Sequence, residues 1–121
     1  DKVAIASNNI VRKIPVIALV RGTTNYAKGL KGAVRYFSNY KEIMQAMKNG
    51  EVDLVVADRP MARHMLRSVT KSFGLHKSLR QKERYALGVN NKHKYLLQAL
   101  NRALRDLAKT GRLAHMVRKW L

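Results

Sequence analysis

Short apolar runs separated by polar turns predict a series of buried strands along this chain. The longest run extends from Ile14 to Val20 and is almost entirely aliphatic or β-branched, as in a strand buried on both faces of a parallel sheet. Further strands are predicted over residues 3–6, 33–37, 52–57 and 85–89. Residues 70–84 are basic and weakly patterned, and they favour a loop, with a short strand as the alternative.

Apolar residues at helical spacing predict helices between and after these strands. The predicted helices cover residues 38–49, 59–69, 96–107 and 113–120. Ser38 or Asn39 is a candidate N-cap for the first, and Gly111 separates the last two. One more helix is predicted to begin near Asn25. Strands that alternate with helices predict an α/β fold, a three-layer arrangement with a mostly parallel sheet and helices on both faces.

The turn after the longest strand has the composition of an anion site. Gly22 lets a ligand approach the backbone, and Thr23 and Thr24 add hydroxyl donors at the start of the predicted helix. The same residues would also serve a plain turn and a helix cap, so the pattern leaves both interpretations open. The Gly-Lys-Ser/Thr ending of a phosphate-binding loop is absent.

A carboxylate lies at the end of another predicted strand. Asp58 follows the run that begins at Val52 and precedes the helix opened by Arg59 and Pro60. Ligands of open α/β sheets bind at such strand ends, where a carboxylate can accept hydrogen bonds from an ammonium group. The alternative is an N-cap for the following helix. Asp53, near the start of the run, is predicted to mark an edge or to pair with a surface base.

The charge suggests a second class of partner. Twenty-five Lys and Arg face seven Asp and Glu, for a net charge of +18, and the basic residues are spread through the chain. Such a field favours anionic partners, including nucleic acid bound through non-specific charge, although a solvated basic surface explains it equally well. There is no cysteine, and no apolar run is long enough to span a membrane. The four histidines are dispersed, so no metal, cofactor or catalytic site is predicted.

Three motifs in a fixed order resemble the family 3 solute-binding proteins. They read VIALVRGTTNYAKGL, YKEIMQAMKNGEVDLVVADRPMARHML and YALGVNNKHKYLLQALNRALRDLAKTGRLAHMVRKWL. These proteins are the periplasmic amino-acid receptors of ABC transporters, related to the ligand-binding domains of ionotropic glutamate receptors. The resemblance implies a periplasmic-binding-protein type II lobe outside the cytoplasm that binds an amino acid without catalysis and works with an ABC permease.

The resemblance also implies roles for individual residues. Gly22, Thr23 and Thr24 match the turn that holds the α-carboxylate of the ligand, with Asn25 just beyond it. Asp58 matches the carboxylate that takes the α-ammonium. Because the residue-level analysis also puts an anion site and a cation acceptor on neighbouring strand ends, both lines predict that the ligand is a zwitterion.

Family members are about twice as long, and the resemblance implies that this chain corresponds to the second lobe with two hinge strands, 3–6 and 85–89, and the C-terminal helices, largely without the first lobe. We therefore expect a single α/β lobe over 1–121, with a hinge strand and linker over 1–13, a core over 14–90 and C-terminal helices over 91–121. Those helices are expected to pack on the missing lobe or to exchange between copies in a homo-oligomer. Three functions stay open: an amino-acid-binding lobe, a polyanion-binding module, and an isolated or engineered scaffold without a ligand.

Overall fold

A five-stranded sheet organises the first part of the chain. The computed structural model describes residues 1–69, 71–79 and 81–121, which separate into two units, Asp1–Glu83 and Arg84–Leu121. The strands of the first unit are β1 (Lys2–Ser7), β2 (Val16–Val20), β3 (Ala33–Phe37), β4 (Leu54–Asp58) and β5 (Phe73–Ser78). Their order in the sheet is β3-β2-β4-β1-β5.

The strand directions confirm the mostly parallel α/β sheet. Strand β2 is parallel to both β3 and β4, whereas β1 is antiparallel to both β4 and β5. Four strands therefore run one way and β1 runs the other way between two of them. The short strand that was the alternative to a loop within residues 70–84 is present as β5.

Both helices of this unit pack on one face of the sheet. They are α1 (Tyr40–Lys48) and α2 (Arg59–Val69), and their apolar sides meet the buried residues of the strands. Ile43 of α1 and Met65 of α2 are completely buried there. The apolar cluster on the opposite face of the sheet is smaller, and Ala27 and Leu30 from the loop after β2 pack against it. The four methionines of these helices contribute to the core, as their helical spacing predicts, whereas Met116, which the same argument placed in a core, is exposed.

Asn39, one of the two predicted caps, starts α1. Its side-chain oxygen accepts a hydrogen bond from the backbone N–H of Glu42 at 2.9 Å, and the Glu42 carboxylate accepts one from the N–H of Ser38 at 3.1 Å. We expect Asn39→Ala to lower the free energy of unfolding by about 1 kcal/mol, because the N–H of Glu42 loses its side-chain acceptor. Urea unfolding followed by circular dichroism measures this change. Gln45→Ala, on an exposed turn of the same helix, is the matched control, and an equal loss in both variants would contradict the capping role.

Two predicted elements are wrong. No helix follows Gly22. The hydroxyl of Thr23 donates a hydrogen bond to the carbonyl of Val20 at 2.8 Å instead of capping a helix. The chain then passes through turns, one of which contains Gly29 with φ of +77°. No strand forms over 85–89, where a short strand was predicted. The side chains of Tyr85 and Leu87 are more than half exposed, so this segment lacks the burial of a core strand.

Strand boundaries shift by a few residues from their predicted positions. Strand β2 begins at Val16 rather than Ile14, since Pro15 has no N–H to donate to a ladder. The N–H of Val16 bonds instead to the carboxylate of Asp53 at 2.8 Å, and Arg12 donates to the other oxygen of that carboxylate at 2.7 Å. Asp53 thus pairs with a base, as predicted, and ties the linker to the sheet.

The second unit contains two helices, α3 (Lys94–Lys109) and α4 (Arg112–Trp120). Gly111 lies between them with φ of +73°, a conformation that favours glycine, so the predicted break is confirmed. No side chain of α3 or α4 is buried. Among the described residues, no helix is both long enough and apolar enough to cross a membrane.

Candidate functional site

The sheet topology brings four chain segments to one edge. Strands β2 and β4 are parallel, so the turn after Val20 and the end of β4 at Asp58 lie at the same edge. Strand β1 runs the opposite way, so its first residue, Lys2, lies there too and stands opposite Asp58 in the register. The chain beyond β5 arrives at the same edge, where the N–H of Lys2 donates to the carbonyl of Gln81 at 2.9 Å.

Four side-chain oxygens surround the ammonium of Lys2. Its Nζ lies 2.7 Å from Oδ1 of Asp58 and 3.3 Å from Oε1 of Glu83. It donates to Oγ1 of Thr24 at 3.1 Å and also to Oδ1 of Asn25. These five residues form what we call the Lys2 cluster. Oδ1 of Asp58 is buried and receives no well-aligned hydrogen bond from the described residues, so the close charge of Lys2 is what compensates it.

Further hydrogen bonds orient the acceptors. The hydroxyl of Thr24 accepts from Lys2 and donates to Oε1 of Glu83 at 2.9 Å. The amide nitrogen of Asn25 donates to the hydroxyl of Tyr40 at 2.7 Å, which turns the amide oxygen towards Lys2. An ammonium has three protons to donate, and the arrangement offers at least that many oxygens.

Burial and charge differ between the centre and the rim of the Lys2 cluster. The Lys2 side chain is 3% exposed, whereas those of Asp58 and Glu83 are each 29% exposed. Burial alone would lower the pKa of Lys2, but the two carboxylates more than offset it and raise that pKa above its usual value. With one ammonium and two carboxylates, the Lys2 cluster carries a net charge of −1 in a chain whose total is +18. The Lys2 cluster therefore favours binding of a cation over binding of an anion.

The structure separates the predicted site residues into two groups. Thr24, Asn25 and Asp58 come together around one nitrogen. Gly22 and Thr23 form the turn instead, with φ of +73° at Gly22 and the Thr23 hydroxyl bonded to the strand. The predicted helix dipole is absent from this site because the helix itself does not form.

Sequence reasoning missed Lys2, Glu83 and Tyr40. Glu83 offered a signal, because it is a lone carboxylate among the bases at 77–84 in a chain with only seven acidic residues. Lys2 and Tyr40 offered none, since a lysine before an apolar strand and a tyrosine at a helix start are ordinary. Within the described ranges, no group of His, Asp and Glu side chains could hold a metal ion.

Solved structures with the same arrangement of elements are amino-acid-binding proteins. The chain is similar to an ancestral arginine-binding protein bound to glutamine, with a TM-score of 0.77 and 23% identity over 99% of this chain. It is also similar to the substrate-binding protein of an amino acid ABC transporter, with a TM-score of 0.78 and 20% identity over 99% of this chain. The chain has the fold of a solute-binding-protein lobe.

A third solved structure, a ligand-binding core, has a similar fold. The GluR0 ligand-binding core from Nostoc punctiforme, in complex with L-glutamate, matches 99% of this chain with a TM-score of 0.69 and 22% identity. The chain spans 58–60% of the length of these three structures. No family model and no curated protein matches the sequence. These likenesses confirm the predicted periplasmic-binding-protein type II fold.

Proposed function

We propose that this chain binds an amino acid or a similar small zwitterion, without catalysis, at the ends of β2 and β4. The observation that carries the proposal is the ring of oxygens from Thr24, Asn25, Asp58 and Glu83 around one primary ammonium. A ligand's α-ammonium has the same charge and the same three donors as the Lys2 ammonium. A group of residues that binds one is chemically suited to the other.

The turn before Thr24 supports a place for the carboxylate of the ligand. Gly22, Thr23 and Thr24 are exposed, and the backbone N–H groups of Gly22 and Thr24 make no hydrogen bond with the described residues. Open amides at the end of a strand bind anions, and here they lie within two residues of the ammonium-binding side chains. Without the predicted helix, those amides act without a helix dipole, which favours weak binding.

The fold and the length of the similar structures support a proposal about where this chain acts and with which partners. The three solved proteins have bound amino acids or serve an amino-acid transporter, and the chain matches less than two thirds of each. We infer an extracytoplasmic binding lobe that works with an ABC permease, and that grips its ligand from one side. A first lobe, supplied by another chain or segment, would close the other side and strengthen binding.

Replacing Asp58 tests the proposal. We expect Asp58→Asn to weaken amino-acid binding by about tenfold or more, since a charge-assisted hydrogen bond contributes about 1.5–3 kcal/mol. Calorimetric titration with arginine, glutamine, glutamate and glycine measures the change. Glu51→Gln is the matched control, because it removes the same charge from an exposed pair with Arg35 whose atoms are 3.5 Å apart. Binding that is equally strong in wild type and Asp58→Asn would contradict the proposal.

A further inference from the structure

The Lys2 ammonium occupies the position that the proposed function gives to a ligand's amine. Lys2 is 2% exposed, and it is the one buried basic residue in the described part of the chain. A buried lysine is costly unless it is paired, and here the polar contacts of its Nζ with the described residues are to the four side chains on which the proposed function depends. We call the side chains of Thr24, Asn25, Asp58 and Glu83 the oxygen socket.

The oxygen socket can be reached from solvent on its acidic side. The carboxylates of Asp58 and Glu83 are 29% exposed, and Thr24 is exposed as well, whereas the stem of Lys2 enters from the buried start of β1. A small amine can therefore approach the carboxylates without first opening the sheet. With Lys2 in place, the Lys2 cluster keeps a local net charge of −1, which favours a cation at short range even though the chain as a whole is basic.

We propose that the oxygen socket is a site for primary ammonium groups and that Lys2 is its tethered occupant, which a ligand's amine must displace. This inference rests on the proposed function and adds a competitor to it. A tethered group acts at an effective concentration of roughly millimolar or higher, so the protein binds its ligand less tightly than the oxygen socket alone would. The oxygen socket requires N–H donors, so it discriminates against quaternary ammonium ions.

Chemical rescue of Lys2→Ala tests this inference. The substitution leaves the Cβ in place and removes a fragment with the size and charge of n-propylammonium. We expect n-propylammonium to raise the melting temperature of Lys2→Ala in a saturable way, and to bind this variant at least about tenfold more tightly than wild type. Tetramethylammonium at equal ionic strength should give no such rise. Lys48→Ala, which removes an exposed lysine, is the matched control and should show no rescue.

The outcomes separate this inference from the proposed function. Rescue without amino-acid binding supports the ammonium site and contradicts the zwitterion proposal. Equal amino-acid affinity in wild type and Lys2→Ala, with no rescue by n-propylammonium, overturns the tethered occupant and leaves the proposed function standing.

A second measurement applies if Lys2→Ala does not fold. In wild type, the ¹⁵Nζ resonance of Lys2 should shift when n-propylammonium chloride is added and should stay constant with tetramethylammonium chloride. Identical spectra with both salts would overturn the inference.

Discussion

Replacing Lys2 with methionine is expected to destabilise the protein by about 2 kcal/mol at pH 7. Methionine keeps an unbranched side chain as far as Cε but lacks the ammonium group, so Asp58 and Glu83 are left without the cation that both contact. Removing one partner of a fully buried ion pair costs about 3–5 kcal/mol, and we expect a smaller loss here because both carboxylates are 29% exposed and partly solvated. Urea unfolding followed by circular dichroism measures the loss.

The pH dependence of that loss identifies its cause. The folded-state pKa of Lys2 is raised, so its contribution to stability is fully present below its unfolded value of about 10.4 and disappears as the pH rises through the folded value. The difference in stability between wild type and Lys2→Met should therefore shrink above about pH 10.4. Lys48→Met, at an exposed position, should differ little from wild type throughout. A difference that stays constant from neutral to alkaline pH would indicate lost packing rather than lost charge.

Gly32→Ala is expected to destabilise the protein by about 2–3 kcal/mol, for a steric reason. A Cβ at this position would lie well inside contact with the carbonyl oxygen of Pro15, and 3.0 Å from Cγ1 of the buried Ile17. The Pro15 oxygen accepts the hydrogen bond from the N–H of Ala33 at 2.8 Å, where β2 and β3 begin to pair. Backbone atoms cannot rotate out of the way as a side chain can, so the two strands would have to separate.

Gly88→Ala is the matched control for Gly32→Ala. No atom lies within 4 Å of a Cβ built at Gly88, and its φ is not positive, so the substitution should change stability little. Thermal unfolding of both variants gives the comparison. Equal losses at the two glycines would contradict the steric argument and would point to a general effect of alanine on the backbone.

Elements with a strong local pattern could be predicted from the sequence. The buried strands β2 and β4 appear as continuous aliphatic runs, and α1 combines amphipathic spacing with a cap at Asn39. Such signals depend on neighbouring residues alone. The position of Asp58 at the end of β4 follows from the same pattern. For this reason the carboxylate of the candidate site on β4 could be predicted.

The sequence analysis was wrong or incomplete where the structure depends on contacts between residues far apart in the chain. The loop after Gly22 has capping residues, yet Asn25 bonds to Lys2 and Tyr40 rather than starting a helix. The pairing of Lys2 with Asp58 joins residues far apart in the chain and comes from the antiparallel direction of β1. Hydrophobic periodicity does not give strand direction, so the residue at the centre of the site could not be predicted.

The position of β1 between β4 and β5 has a consequence for how the protein is made. A ribosome completes this strand long before residues 54–58 and 73–78, with which it pairs. Val3 and Ile5, which are completely buried in the folded protein, have no strand to pair with during that interval. Closing so long a loop slows folding, and an unpaired apolar strand is prone to aggregate meanwhile. We therefore expect chaperone supply during synthesis to raise the yield of folded protein.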